Sequence, residues 1–176
     1  MAKTVRKWFV GTVAGLMLTG IAVMATPGAA HAASVNIFGF IRNYDSGKCV
    51  QMNGTGYYQI VQQTCNWDWG GRQSWSIYEL LGQSGSGKHW IEQNGECLEA
   101  HPYDDSVPVY TDECNINSVR QVWRFVYQGN GVYLIRNNHT DRCLYVKRGS
   151  LANGAYIGTA HCLNSVYRHY KWRLYK

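Results

Sequence analysis

Charge is thin in this chain and proline is nearly absent. Asp, Glu, Lys and Arg make up only 16% of the 176 residues, against 45% hydrophobic ones, which excludes a disordered chain solvated by its own charge. Three Pro stand against 19 Gly, a balance that favours many tight turns. Outside the N-terminal segment 1–32 no stretch keeps a helical apolar period over several turns, so long amphipathic helices are not expected. G-x-S-x-G, H-E-x-x-H and P-loop motifs are missing. Asp104 and Asp105 are adjacent and turn-borne, and His89, His101, His139, His161 and His169 have no evident nucleophile partner. No enzymatic activity and no cofactor are therefore expected. The absence of C-x-x-C argues against a metal site.

What is present begins at the N-terminus. Lys3, Arg6 and Lys7 are followed by an uncharged apolar run, Trp8 to Val23, and then by the small triplet Ala30-His31-Ala32. This is the layout of a secretory signal peptide over positions 1–32, with cleavage expected after Ala32 and an uncleaved anchor as the alternative. Arg6-Lys7 leaves open whether export uses a twin-arginine route. The formal charge of +6 then needs correction: three basic side chains leave, so positions 33–176 carry 14 basic and 11 acidic side chains, net +3. Their longest basic run is Lys147-Arg148, a poor footprint for nucleic acid. No segment after Ala32 is apolar enough to span a membrane. The predicted location is extracellular.

The rest of the chain, from Ala33 on, repeats three times. Cysteines fall as Cys49 and Cys65, Cys97 and Cys114, Cys143 and Cys162; first members are 48 and 46 apart, second members 49 and 48. Trp75, Trp123 and Trp172 follow the second Cys at offsets of 10, 9 and 10 and open similar segments ending at Tyr78, Tyr127 and Tyr175. Each unit also begins alike, with Ile41-Arg-Asn43, Ile91-Glu-Gln93 and Ile135-Arg-Asn137. The repeats, near 37–84, 85–130 and 131–176, use up the whole length as one domain over 33–176. An even cysteine count in an exported chain implies disulfides, and the repeat favours pairing within each unit. Each such bridge would contribute about 3 kcal/mol by restricting the unfolded chain.

Segments 58–62, 107–111, 131–136 and 142–147 are rich in β-branched and aromatic residues, and Asn53-Gly54, Asn94-Gly95, Asn130-Gly131 and Asn153-Gly154 punctuate them. Four short strands per repeat predict an all-β domain of about twelve strands around one shared core.

Gln73-Ser-Trp75 and Gln121-Val-Trp123 are Q-x-W motifs, with a degenerate third copy at Tyr170-Lys-Trp172. Three such repeats, each preceded by a Cys pair, resemble the ricin B-chain-like (R-type) lectin family, including small single-trefoil microbial lectins such as actinohivin. The resemblance implies a β-trefoil, with Trp75, Trp123 and Trp172 as structural core, and glycans or polysaccharides as partners.

In sugar-binding repeats of that family an Asp lies two positions after the first Cys, an aromatic shortly before the second, and an Asn before the Gln of Q-x-W. Those positions supply a carboxylate, a ring face and a donor, which is what a pyranose requires. This chain holds Gln51, Glu99 and Tyr145 at the Asp position, Gln63, Asp112 and Ala160 two before the second Cys, and Arg72, Arg120 and His169 at the Asn position. The second repeat is closest, with Glu99, Tyr110, Asp112 and Arg120. Gln51, Asn53 and Tyr145 are the weaker candidates. Trp67 and Trp69, in the Gly-rich segment after Cys65, read either as an exposed binding pair or as a cap on the barrel end. His101-Pro-Tyr103-Asp-Asp105 reads as a binding loop or a solvated turn, and Tyr57, Tyr58 and Tyr167 are equally ambiguous. Two functions follow: a secreted glycan-binding trefoil, or, because the family's Asp is lost in all three repeats, a secreted protein-binding trefoil such as a protease inhibitor or a targeting subunit.

Overall fold

A computed structural model describes residues 34–54, 59–80, 87–101, 108–162 and 167–176. The proposed signal segment, Tyr57, Tyr58 and most of the 101–105 loop lie outside the described residues. Twelve strands appear in chain order among the described residues: β1 (Ser34–Asn43), β2 (Cys49–Met52), β3 (Ile60–Gln63), β4 (Ser74–Glu79), β5 (Lys88–Gln93), β6 (Glu96–Glu99), β7 (Tyr110–Glu113), β8 (Trp123–Tyr127), β9 (Val132–Asn137), β10 (Arg142–Val146), β11 (Ile157–His161) and β12 (Trp172–Tyr175). In the 107–111 segment the continuous strand begins at Tyr110, while Pro108 and Val109 already pair singly with Gly158 and Ile157 of β11.

Every pairing among these strands is antiparallel. β1 pairs with β4 and β12, β4 with β5, β5 with β8, β8 with β9, and β9 with β12, which closes a six-stranded barrel. The hairpins β2–β3, β6–β7 and β10–β11 cap it. Single bridges Gln59↔Tyr110, Pro108↔Gly158 and Val61↔Tyr156 join the three caps in a ring. This is a β-trefoil, and closure removes the exposed strand edges that an open sheet would carry. Closure also demands a close approach where the first strand meets the last: a Cβ on Gly39 would collide with the Tyr175 carbonyl. The tight turn between β5 and β6 is Asn94-Gly95, both at positive φ (54° and 82°), as a two-residue hairpin turn requires.

The core obeys the same threefold rule. Its fifteen buried residues form five sets of three, one from each repeat: Ile41/Ile91/Ile135, Val50/Leu98/Leu144, Met52/Ala100/Val146, Ile60/Val109/Ile157 and Trp75/Trp123/Trp172. No repeat could cover these side chains alone. The three tryptophans are fully buried, and each indole N–H donates to the backbone carbonyl that follows the first Cys of its repeat: Val50 (3.1 Å), Leu98 (2.8 Å) and Leu144 (3.0 Å). Burial of the ring is thus achieved without leaving the indole donor unsatisfied.

The residue that opens each repeat ties it to the repeat before it. Asn43 Nδ2 donates to the His169 and Lys171 carbonyls, Gln93 Nε2 to those of Gly71 and Ser74, and Asn137 Nδ2 to those of Arg120 and Val122. These are the backbone segments leading into Trp172, Trp75 and Trp123, so three amides lock the ring of repeats. Three disulfides, Cys49–Cys65, Cys97–Cys114 and Cys143–Cys162, each link the first strand of a cap to the loop after the second.

Candidate functional site

One frame recurs in each repeat beside the disulfide, where the side chain two after the first Cys meets the side chain two before the Trp. In the second repeat Gln121 Nε2 donates to Glu99 Oε2 (2.9 Å) and to the Glu113 carbonyl (3.0 Å), while its Oε1 accepts from Asn115 N–H (2.8 Å). In the first, Gln73 Nε2 donates to Gln51 Oε1 and to the Thr64 carbonyl (both 3.0 Å), and its Oε1 accepts from Asn66 N–H (3.1 Å). The Gln therefore pins the turn after the disulfide. In the third repeat the pair is Tyr145 and Tyr170, stacked with centroids 5.1 Å apart and planes 16° apart.

The second repeat opens this frame to solvent. A cleft of about 490 Å³ is lined by Glu99, Asp112, Asn115, Ser118, Arg120 and Gln121 among others. Glu99 forms its floor and is 1% exposed. Its Oε1 accepts from Tyr110 Oη–H (2.8 Å) and pairs with Arg120 Nη2 (2.7 Å); Oε2 accepts from Gln121 Nε2 and from Ser118 Oγ–H (3.3 Å). Two contacts on each oxygen use up the carboxylate's acceptor sites. Glu99 thus holds four side chains in position, with Arg120 at 40% side-chain exposure the one that reaches furthest toward solvent. Asp112 is exposed on the cleft wall, and its Oδ1 caps the Glu113 N–H (2.8 Å).

The other sequence candidates are dispersed. Gln51 is half-buried and spent on Gln73, Asn53 is exposed at the end of β2, and Arg72 is exposed at the Asn position. In the third repeat Tyr145, Tyr167, His169 and Tyr170 occupy the space that is polar in the second, with His169 centred 4.9 Å from Tyr170. Burial pushes the Tyr145 and Tyr170 hydroxyls up. It pushes the His169 imidazole down, opposed by the charge of Asp45.

Trp67 and Trp69 are packed on the barrel and half exposed at once. Trp67 packs edge-on against Phe40 (5.1 Å) and Tyr175 (5.5 Å), while Trp69 stacks on Phe38 (5.3 Å) and meets Phe40 edge-on (5.0 Å). They cover the barrel beside β1 yet remain 45% and 52% exposed. Trp67 sits at φ 55°, in the left-handed region that a bulky side chain rarely takes, which turns its ring back onto the barrel. Residue spacing pointed to neither Phe38 nor Tyr175 as members of this platform, nor to Ser118 and Asn115 in the cleft; Asn115, directly after Cys114, carried the one available signal, its offset from the disulfide.

Among the described residues no group of three His, Cys, Asp or Glu could hold a metal ion. No helix of the described residues is long and apolar enough to cross a membrane.

Residues 37–175 match the ricin-type beta-trefoil lectin domain, and the chain belongs to that family. No curated protein matches the sequence. Solved structures share the fold. The designed threefold-symmetric protein ThreeFoil aligns at 20% identity and TM-score 0.69, over 79% of this chain and 98% of its own. The exo-beta-1,3-galactanase 1,3Gal43A from Clostridium thermocellum aligns at 22% identity and TM-score 0.66, over 79% of this chain and 30% of the galactanase. SeviL, bound to asialo-GM1 saccharide, aligns at 17% identity and TM-score 0.59, over 79% of this chain and 96% of its own.

Proposed function

We propose that this chain is a secreted, non-catalytic carbohydrate-binding trefoil that recognises extracellular glycans through the second-repeat cleft. The observation that carries the reading is the buried Glu99 carboxylate, which orients Tyr110, Ser118, Arg120 and Gln121 around one polar opening. A pyranose presents hydroxyls that both donate and accept. Asp112 is the exposed acceptor for them, and Arg120 and Asn115 are the donors. Glu99 is a positioning residue: its extra methylene, relative to the family's Asp, is taken up in reaching Arg120 and Gln121. Pre-set polar groups lose little freedom on binding, which favours both affinity and selectivity for a sugar.

A glycan array probed with the oxidised, signal-free chain tests this. Binding that falls at least tenfold in Arg120→Ala, with cooperative thermal melting showing that the variant is folded, is the expected result. An array without a hit for correctly oxidised protein overturns the glycan reading. The protein-binding alternative rests on the half-exposed Trp67, Trp69 and Phe38. A stoichiometric protein partner that free sugar does not elute would favour it.

A further inference from the structure

A second cleft, of about 360 Å³, lies where the barrel closes between the first and third repeats, and its chemistry is the reverse of the first. Its lining includes Arg42, Arg168 and Arg173 and one carboxylate, Asp45. The antiparallel register sets Arg42 directly opposite Arg173 on β1 and β12. Like charges facing each other across strands are destabilising unless something neutralises them. Here the partners are mostly uncharged. Arg42 Nε donates to the Gly47 carbonyl (2.7 Å) and its Nη1 to Tyr175 Oη (3.4 Å). Arg168 and Arg173 lie over the Tyr44 ring, at 5.0 and 4.9 Å. Asp45 pairs with Arg168, at 3.6 Å. The Nε of Arg173 is buried without a hydrogen-bond partner.

The equivalent junctions of the barrel hold different pairs at these positions. Between β8 and β9 the register pairs Arg124 with Arg136, and Asp141 salt-bridges Arg136. Between β4 and β5 it pairs Ser76 with Glu92. What sets the β1–β12 junction apart is a third arginine, Arg168, beside the facing pair, all three lining one cleft. Tyr175 senses it: burial would raise its hydroxyl, but hydrogen bonds and charge from Arg42 and Arg173 outweigh burial and bring it below the ordinary phenol value.

Tyr175 also connects this cleft to the aromatic platform, since its ring lies under Arg42 (5.8 Å) and against Trp67 (5.5 Å). We infer that the β1–β12 junction binds an acidic saccharide, its sulfate or carboxylate held by Arg42, Arg168 and Arg173 and its ring face laid on Trp67 and Trp69. Guanidinium forks match both oxyanions, and an apolar sugar face matches an exposed indole. This site extends the carbohydrate-binding reading but does not use the second-repeat cleft.

The test measures binding of the oxidised, signal-free chain to dextran sulfate, polygalacturonate, neutral dextran and a single-stranded DNA of matched charge. One of the two acidic polysaccharides should bind at least tenfold tighter than dextran, weakening as salt rises, and which one does so identifies the anion. Arg168→Gln/Arg173→Gln should lose about tenfold or more of that binding, as two charge-assisted contacts would. Trp69→Ala should lose a smaller part, and Arg124→Gln, exposed on β8 outside both clefts, none. Thermal melting confirms the fold of each variant, and the single Arg168→Gln, at a surface side chain, serves if the double variant does not fold. Unchanged affinity in the arginine variants overturns the site. So does DNA bound as tightly as the acidic polysaccharide with no effect of Trp69→Ala, which would mark a general polyanion surface. Neutral glycans bound without acidic ones overturn this site alone; no glycan bound of either kind overturns the glycan-binding reading with it.

Discussion

The second and third repeats share a backbone frame and differ in what fills it. Both bury a Trp whose indole donates to the equivalent carbonyl, Leu98 or Leu144, and each closes a disulfide over its own cap. Yet Glu99, Gln121 and Arg120 leave a polar cleft in one, while Tyr145, Tyr170 and His169 pack it with rings in the other. The first repeat stands between them, with an amide pair, Gln51 and Gln73, that keeps the turn but has no charge to present. A trefoil therefore keeps its fold through five core positions per repeat and leaves the outer pair free to differ.

The largest expected effect should be equal on both sides of this comparison. Trp123→Ala and Trp172→Ala each remove a fully buried indole and should cost about 3–5 kcal/mol in denaturant unfolding. A cost several-fold smaller in one repeat would break the claim of a common frame.

Next in size, Glu99→Ala strips four partners at once. It should lower stability by about 1–3 kcal/mol, because Gln121 Nε2 loses one of its two acceptors inside a buried site. The same variant should lose second-repeat glycan binding, read by calorimetry. Retained affinity would mean that the sugar does not depend on the side chains Glu99 orients.

Asp112→Asn lies on the exposed wall and should shift stability by no more than about 0.5 kcal/mol. Its glycan affinity should fall by about tenfold if the carboxylate accepts sugar hydroxyls, so the ratio of the two effects separates binding from scaffolding.

The smallest effect separates the repeats by pH. His169 in the third repeat has an imidazole value lowered by burial, where the second repeat carries Arg120. His89 is lowered in the same way, with the Gly87 carbonyl opposing. The unfolded chain then binds more protons, so the stability these groups contribute is full above the ordinary imidazole value of 6.5 and is lost as pH falls through the lower folded-state value. The melting temperature should drop between pH 7 and 5, and His169→Gln should reduce the slope. A slope unchanged in that variant would assign the acid sensitivity elsewhere.

Much of this was legible in the residue order. The regular offsets between successive cysteines and successive tryptophans marked three units, because one disulfide and one core ring are needed each time the chain returns to the same place around the barrel. Family offsets drew Glu99, Tyr110 and Arg120 to one position, and the three sit in contact. The same offsets gave no hint that Glu99 would be sealed beneath its neighbours, since a carboxylate's acceptor count depends on which donors the folded turn delivers.

By itself, then, the sequence determined the repeat and favoured the pairing of its cysteines within each unit, both of which follow from short-range spacing, and its family resemblance marked the three core tryptophans. Only the tertiary structure decided where charge and rings meet. Arg42 belongs to the first repeat and Arg173 to the last, and they face each other because the first and last strands close the barrel. Trp67 reaches Tyr175 across the same seam. Such neighbours are set by closure, which no local pattern encodes.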